Sequence, residues 1–248
     1  MAKYRKRRIG MVFSLIAALV AWLGLTGNLA WLTYEVNLFP AESQEEQVEQ
    51  PTSELAALNV LAKLEVKGRA PKNTYKRTEF YDTWPSIGGC SLRQRIIKRE
   101  LGESAQIGSD KCSVTSGTYI EPYTGNEMIF TEKSEFSSKI QIDHVVALSD
   151  AWQKGADNSH MDKGTRYQLA TDPLNLLAVD GPANQQKSDS DAASWLPTNK
   201  AFRCQYVARQ ISVKYKYKLW VTQAEHDAMA DVLKTCPNEP VVGIEISE

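Results

Sequence analysis

Between Ile9 and Tyr34 the chain carries no charged residue. At about 1.5 Å per helical residue this run exceeds the roughly 30 Å hydrocarbon core of a bilayer. It can span a membrane, so any globular domain has to be built from the residues after it. Lys3, Arg5, Lys6, Arg7 and Arg8 precede the run, and the positive-inside rule then keeps residues 1–8 cytoplasmic and sends everything after Glu35 outward. A signal peptide has the same orientation, but its cleavage site wants small residues one and three positions before the cut. The best-placed candidate, Asn28-Leu29-Ala30, has Asn where a small residue is needed. Residues 9–34 therefore fit an uncleaved anchor better than a signal peptide, and both imply an extracytoplasmic, membrane-anchored or secreted protein.

Five glutamates and no basic residue lie between Ala41 and Glu54, a composition that cannot bury enough apolar surface to order itself. We expect an acidic linker over 35–70, one domain over 71–237, and a loose tail over 238–248. Residues 55–237 carry 24 basic against 21 acidic side chains, a net of +3. That balance announces no nucleic-acid partner by itself, and any phosphate affinity must come from local clusters and a bound cation. Cys90, Cys112, Cys204 and Cys236 are an even set without a Cys-x-x-Cys pair, which argues for disulfides over a zinc knuckle. Three connectivities are open. The nearest-in-sequence one would close two moderate loops, each contributing about 3 kcal/mol in the loop-entropy model.

Leu55–Val66 has apolar residues at helical intervals before Gly68 and Pro71 break the pattern. Ser91 is placed to cap a helix over LRQRIIKREL, whose Leu92, Ile96, Ile97 and Leu101 form an apolar stripe. Its basic face fits plain solvation as well as a phosphate contact. Lys139–Leu148 alternates as a strand does, Leu174–Val179 is a second short apolar run, and Asp180-Gly181-Pro182 starts a helix. Strand, strand, helix is the predicted order. Thr222 and Glu225 have capping-box spacing ahead of a helix through Leu233. VKYKYKL reads as an amphipathic strand, and Arg203, Arg209, Lys214, Lys216 and Lys218, interleaved with Tyr206, Tyr215 and Tyr217, could equally line a nucleic-acid groove.

Hydrolysis of a phosphodiester needs a group that takes a proton from water and a cation that neutralises developing charge. His144 suits the first task. Asp143 and Asn184 offer oxygen donors of the kind a hard ion prefers, and Asn184 and Lys187 are three apart and share a helix face. Neighbours in a regular strand point to opposite faces, so Asp143 and His144 can converge only if the strand bends or ends there.

These residues resemble the HNH, or His-Me finger, nucleases, and in particular exported actinobacterial-type HNH endonuclease family proteins. The resemblance is carried by Asp143-His144-Val145-Val146-Ala147-Leu148, by Asp172-Pro173-Leu174-Asn175-Leu176-Leu177-Ala178-Val179, and by Asn184-Gln185-Gln186-Lys187-Ser188-Asp189. The nine-residue step from Asn175 to Asn184 also looks like the HNH domain of CRISPR effector nucleases. The wider match includes Tyr75-Lys76-Arg77, Trp84, Arg93, Glu121-Pro122-Tyr123-Thr124-Gly125 and Trp152. It implies an α+β fold in which a ββα-metal core is embedded in helices, with disulfides Cys90–Cys112 and Cys204–Cys236. It further implies that His144 is the general base, that Asn175 pins its loop, and that Asp143 and Asn184 hold one divalent ion. Asn at a metal position favours Mg2+, or another hard ion such as Mn2+, over zinc. Arg93, Lys187 and Arg166 are the candidate phosphate contacts, Arg93 also counting among the catalytic candidates, and DNA is a better substrate candidate than RNA. Two departures stand out: Ser91 replaces an expected Asp, and Asn175 and Asn184 stand where a classical HNH has histidines. A membrane-anchored binding module that keeps the fold without turnover is the rival reading, and Ser91 is its support.

Overall fold

The computed structural model describes residues 55–243, and the expected anchor and most of the acidic linker lie outside them. In chain order the described elements are α1 (Ala57–Leu61), β1 (Ser86–Ile87), β2 (Cys90–Ser91), α2 (Leu92–Leu101), β3 (Gln106–Ile107), β4 (Val114–Ile120), β5 (Glu127–Phe130) and α3 (Lys133–Lys139). They continue with β6 (Ile140–His144), α4 (Leu148–Ala151), α5 (Lys163–Thr171), β7 (Leu176–Asp180), α6 (Gly181–Lys187), α7 (Arg203–Lys216) and α8 (Gln223–Leu233). The mixture of helices and small antiparallel sheets is α+β. Among the described residues no helix is long and apolar enough to cross a membrane.

The hairpin β6–β7 is the centre of the arrangement. Its register runs from Ile140 opposite Asp180 to His144 opposite Leu176. Along Leu176-Leu177-Ala178-Val179 every residue is buried, because both faces of the hairpin are covered. Leu176, Ala178 and Ile140 face α2 and the β3–β4–β5 sheet, in a cluster with Ile96, Ile97, Leu101 and Phe130. Leu177 and Val179 face the opposite way, into a cluster with α1, α7 and α8 that includes Leu61, Val207, Ile211 and Met229. Burying each of the Leu, Ile and Val side chains stabilises by about 1.5–3 kcal/mol, and a register slip of one residue would exchange two packed faces. Immediately after β7, Asp180 caps α6 by accepting from the Ala183 amide, with Pro182 in the first turn.

Several expectations need correction. The packed domain begins by Leu55: Ala57 and Val60 are fully buried, and the Val66–Val221 bridge continues the docking beyond α1. At the other end the Glu239 carbonyl accepts from Ala57 and the Val241 amide donates to Leu55, so residues 238–243 are not loose. The VKYKYKL segment is no strand. Its first four residues finish α7, because Val207, Gln210, Ile211 and Lys214 bury one helical face, a 3.6 period that four alternating residues are too few to contradict. Tyr206 and Lys214 are fully buried as well, which removes them from any nucleic-acid groove. Thr222 does cap α8 by accepting from Glu225 N at 3.2 Å, but the Glu225 carboxylate does not return the bond. It lies in the interior, 2.6 Å from Lys154 Nζ and 3.0 Å from Lys214 Nζ.

Those two lysines belong to a buried network in which Arg69, Lys154 and Lys214 balance Asp150, Asp191 and Glu225. Lys154 reaches it from a kink at Lys154–Gly155 in the helical segment Trp152–Ala156. The two disulfides, Cys90–Cys112 and Cys204–Cys236, are the pair expected. Between Ser149 and Asp172 the connection is largely helical.

Candidate active site

Among the described residues β6 pairs only with β7, and a cavity of about 350 Å³ lies where the strand ends. Asp143, His144, Ser149, Asn184 and Asp189 border it, together with Lys72, Tyr75 and Arg77 from the segment ahead of the first hairpin. The strand terminates at His144, and both Asp143 and His144 border the cavity although the pleat turns their side chains to opposite faces.

His144 is 5 % exposed. Its ring stacks on Trp84 with centroids 5.8 Å apart and planes 11° from parallel, and Tyr81 stands beyond at 6.0 Å. Nε2 lies 2.9 Å from the Ala170 carbonyl. A carbonyl only accepts, so Nε2 carries the hydrogen and a neutral ring keeps its lone pair on Nδ1. Burial lowers the imidazole pKa to about 3, and the positive charges of Arg77 and Lys187 add to the effect against the opposing Ala170 bond. The ring is therefore a neutral base near pH 7.

Asn175 organises both supports of this ring. Its side-chain oxygen accepts from Val146 N at 2.8 Å and its amide group donates to the carbonyls of Val146 and Leu169. Its backbone carbonyl accepts from Val145 N at 2.9 Å. One buried amide thus ties the turn after His144 to the end of α5, which presents Ala170.

Asp143 is buried on the opposite face of β6. One carboxylate oxygen lies 3.0 Å from Lys187 Nζ and the other accepts from the Tyr123 hydroxyl. Burial pushes the Asp143 pKa up, and Lys187 and Tyr123 oppose it without cancelling it. Asn184 gives its amide nitrogen to Gln141 Oε1 at 2.8 Å, which leaves its side-chain oxygen without a partner among the described residues. A hard divalent ion fits this donor set. Both donors are oxygens, both border one cavity with room for waters, and Lys187 and Tyr123 leave the Asp143 carboxylate further lone pairs.

The proposed phosphate contacts fare differently. Lys187 does share a helix face with Asn184, but its ammonium is fully buried and bonds Asp143 and, at 2.9 Å, the His144 carbonyl. It faces its own protein, not a phosphate. Arg93 donates to the carbonyls of Phe136 and Ile140 and holds the junction of α3 and β6, and it does not border the cavity. Arg166 is 4 % exposed, bonded to the carbonyls of Glu79 and Met161, with its guanidinium over the Trp152 ring. Ser91 caps α2 by accepting from Gln94 N, so its departure from an expected Asp takes nothing from the cavity. The cations that do border it are Lys72 and Arg77, both exposed. Lys72 pairs with Asp189, and Arg77 donates to the Tyr81 hydroxyl. The motif Tyr75-Lys76-Arg77 flagged the segment, but no spacing in the sequence could say that it folds back over the end of β6.

Residues 92–232 match the family described as GmrSD restriction endonucleases, C-terminal domain, a stretch of more than half the chain that contains the hairpin, α6 and every residue discussed above from Arg93 to Lys187. The chain belongs to this family. A fungal protein described as "Uncharacterized secreted protein", from Arthroderma benhamiae, is 36 % identical over 183 residues, covering 73 % of this chain and 84 % of its own. No solved structure matches. Within the GmrSD C-terminal domain the match begins at the first residue of α2 and ends inside α8, so Lys72, Arg77 and Trp84 reach the site from outside the family boundary.

Proposed function

We propose that this domain is a metal-dependent nuclease of the HNH, or His-Me finger, type that hydrolyses DNA outside the cytoplasm. The observation that carries the reading is the bond from His144 Nε2 to the Ala170 carbonyl, which leaves the lone pair of the neutral ring on Nδ1 in a residue that borders the same cavity as Asp143 and Asn184. In the reaction Nδ1 of His144 takes a proton from water as the water oxygen forms a bond to phosphorus. The opposite P–O bond breaks, and the leaving oxygen is protonated from solvent. Asn175 keeps the ring aimed throughout. Arg77 and Lys72 hold the non-bridging phosphate oxygens by charge and hydrogen bonding. Asp143 and Asn184 would hold a divalent ion, Mg2+ or Mn2+, which would supply neutralisation of the charge developing in the reaction. Two disulfides and the secreted fungal relative support the extracytoplasmic assignment.

The test is nicking of supercoiled plasmid by the full chain. Activity should require Mg2+ or Mn2+, stop with EDTA, and fall in Asn184→Ala with a higher Mg2+ concentration needed for half-activity. Cleavage that persists in EDTA, or that Asn184→Ala leaves unchanged at every Mg2+ concentration, refutes the metal site.

A further inference from the structure

A second concavity, of about 510 Å³, lies between the outer face of α2 and the loop that the Cys90–Cys112 disulfide ties to it. Arg95, Lys98, Arg99 and Lys111 border it, and no carboxylate does. Like charges gathered in one hollow repel each other unless an anion sits among them. The two arginines are held in place. Arg95 donates to the Ile87 carbonyl, and Arg99 donates to those of Pro173 and Leu176 while sharing the neighbouring Glu100 carboxylate. Lys98 and Lys111 are exposed, and their ammonium groups have no partner among the described residues.

The loop that presents Lys111 is built to stay put. Asp110 turns its carboxylate inward to accept from the amides of Cys112 and Ser113 and from the Ser113 hydroxyl, and those bonds hold its pKa at about 2. The carboxylate faces these donors within its own loop and does not border the hollow. Lys111 itself sits at φ +58°, a left-handed conformation unusual for a residue with a side chain and one the surrounding bonds must enforce.

Arg99 also gives the hollow an address. Its guanidinium bonds the Leu176 carbonyl, and Leu176 is the residue opposite His144 in the hairpin. The hollow and the His144 cavity are thus attached to the same end of one hairpin. We infer that this cationic hollow binds backbone phosphates of the nucleic-acid strand flanking the one being cut, an inference that rests on the nuclease reading for the identity of its ligand.

The experiment measures binding of a DNA duplex longer than one helical turn by the full chain carrying His144→Ala, with EDTA present, as a function of salt. Lys98→Ala and Lys111→Ala should each lower the slope of log affinity against log salt by about 0.9, the value for one lost phosphate contact. In the otherwise native chain the pair should raise KM for long duplex, leaving kcat and the hydrolysis of a dinucleotide unchanged. An unchanged slope in the double variant overturns the inference. So does a double variant that loses binding to phosphatidylglycerol vesicles with duplex binding intact, since the hollow would then serve a lipid surface. If the native chain cleaves nothing yet its duplex binding depends on both lysines, the hollow stands and the nuclease reading falls.

Discussion

Two buried polar side chains of the site, Lys187 and His144, each carry a consequence that a single substitution can read. Lys187 and Asp143 lie 3.0 Å apart in the interior, where one charge is tolerable only because of the other. Lys187→Met should therefore destabilise the fold by about 3–5 kcal/mol, the usual cost of stranding a buried ion. Urea unfolding checks this, and a normal midpoint with a raised KM would return Lys187 to the phosphate role that its spacing from Asn184 suggested. His144 gives a pH signature. Its pKa falls from 6.5 to about 3 on folding, so below 6.5 the unfolded chain binds a proton that the folded chain refuses. Stability from this group is complete above pH 6.5 and is lost as pH drops toward 3, with a slope of up to about 1.4 kcal/mol per pH unit. Between about pH 6.5 and 5, above most carboxylate titration, His144→Leu should show a flatter stability profile than the native chain. Parallel profiles would mean that the imidazole is not buried neutral.

Among the helices and strands, the legible ones are those with a local physical signature. Ser91 ahead of an apolar stripe marks α2, and Asp180-Gly181-Pro182 marks the start of α6, because caps and first-turn prolines act within four residues. β6 is legible in the alternation that runs through Ile140, Ile142 and His144. What could not be read depends on tertiary contacts. Lys214 is interior in α7 only because Asp150 and Glu225 meet it there, and nothing adjacent in sequence reports that. The Gly155 kink is similar. Gly155 has φ +111°, and a Cβ there would lie 3.1 Å from the Trp220 ring. Gly155→Ala should destabilise by more than about 1 kcal/mol, combining backbone strain with a clash. Thermal denaturation measures it, and an unchanged midpoint would show that the kink is not needed to bring Lys154 into its ion network.

Across the domain, the site is assembled from segments far apart in the chain, and the bonds between them carry the arrangement. Asp143, His144, Asn175 and Asn184 can be recognised together in the sequence because they lie in one hairpin and the helix after it. Lys72, Arg77 and Trp84 cannot, since they come from a separate segment, and no motif shows that Arg93 and Arg166 are absorbed by backbone carbonyls. Cys204–Cys236 joins the start of α7 to the chain just after α8, closing the cluster that covers one face of the hairpin. The paired substitution Cys204→Ser with Cys236→Ser should cost about 3 kcal/mol, and calorimetry should show a lowered melting temperature with the folded-state far-UV spectrum retained. A melting temperature equal to that of the native chain would mean that packing alone closes this face.

Chemical rescue is the sharpest probe of His144 as the base. His144→Gly opens space beside Trp84 and should cut DNA about 10²–10⁴-fold more slowly, with added imidazole restoring part of the rate in proportion to its unprotonated fraction. Cleavage at the native rate by His144→Gly, without imidazole, would remove this side chain from the reaction and with it the mechanism proposed for the site.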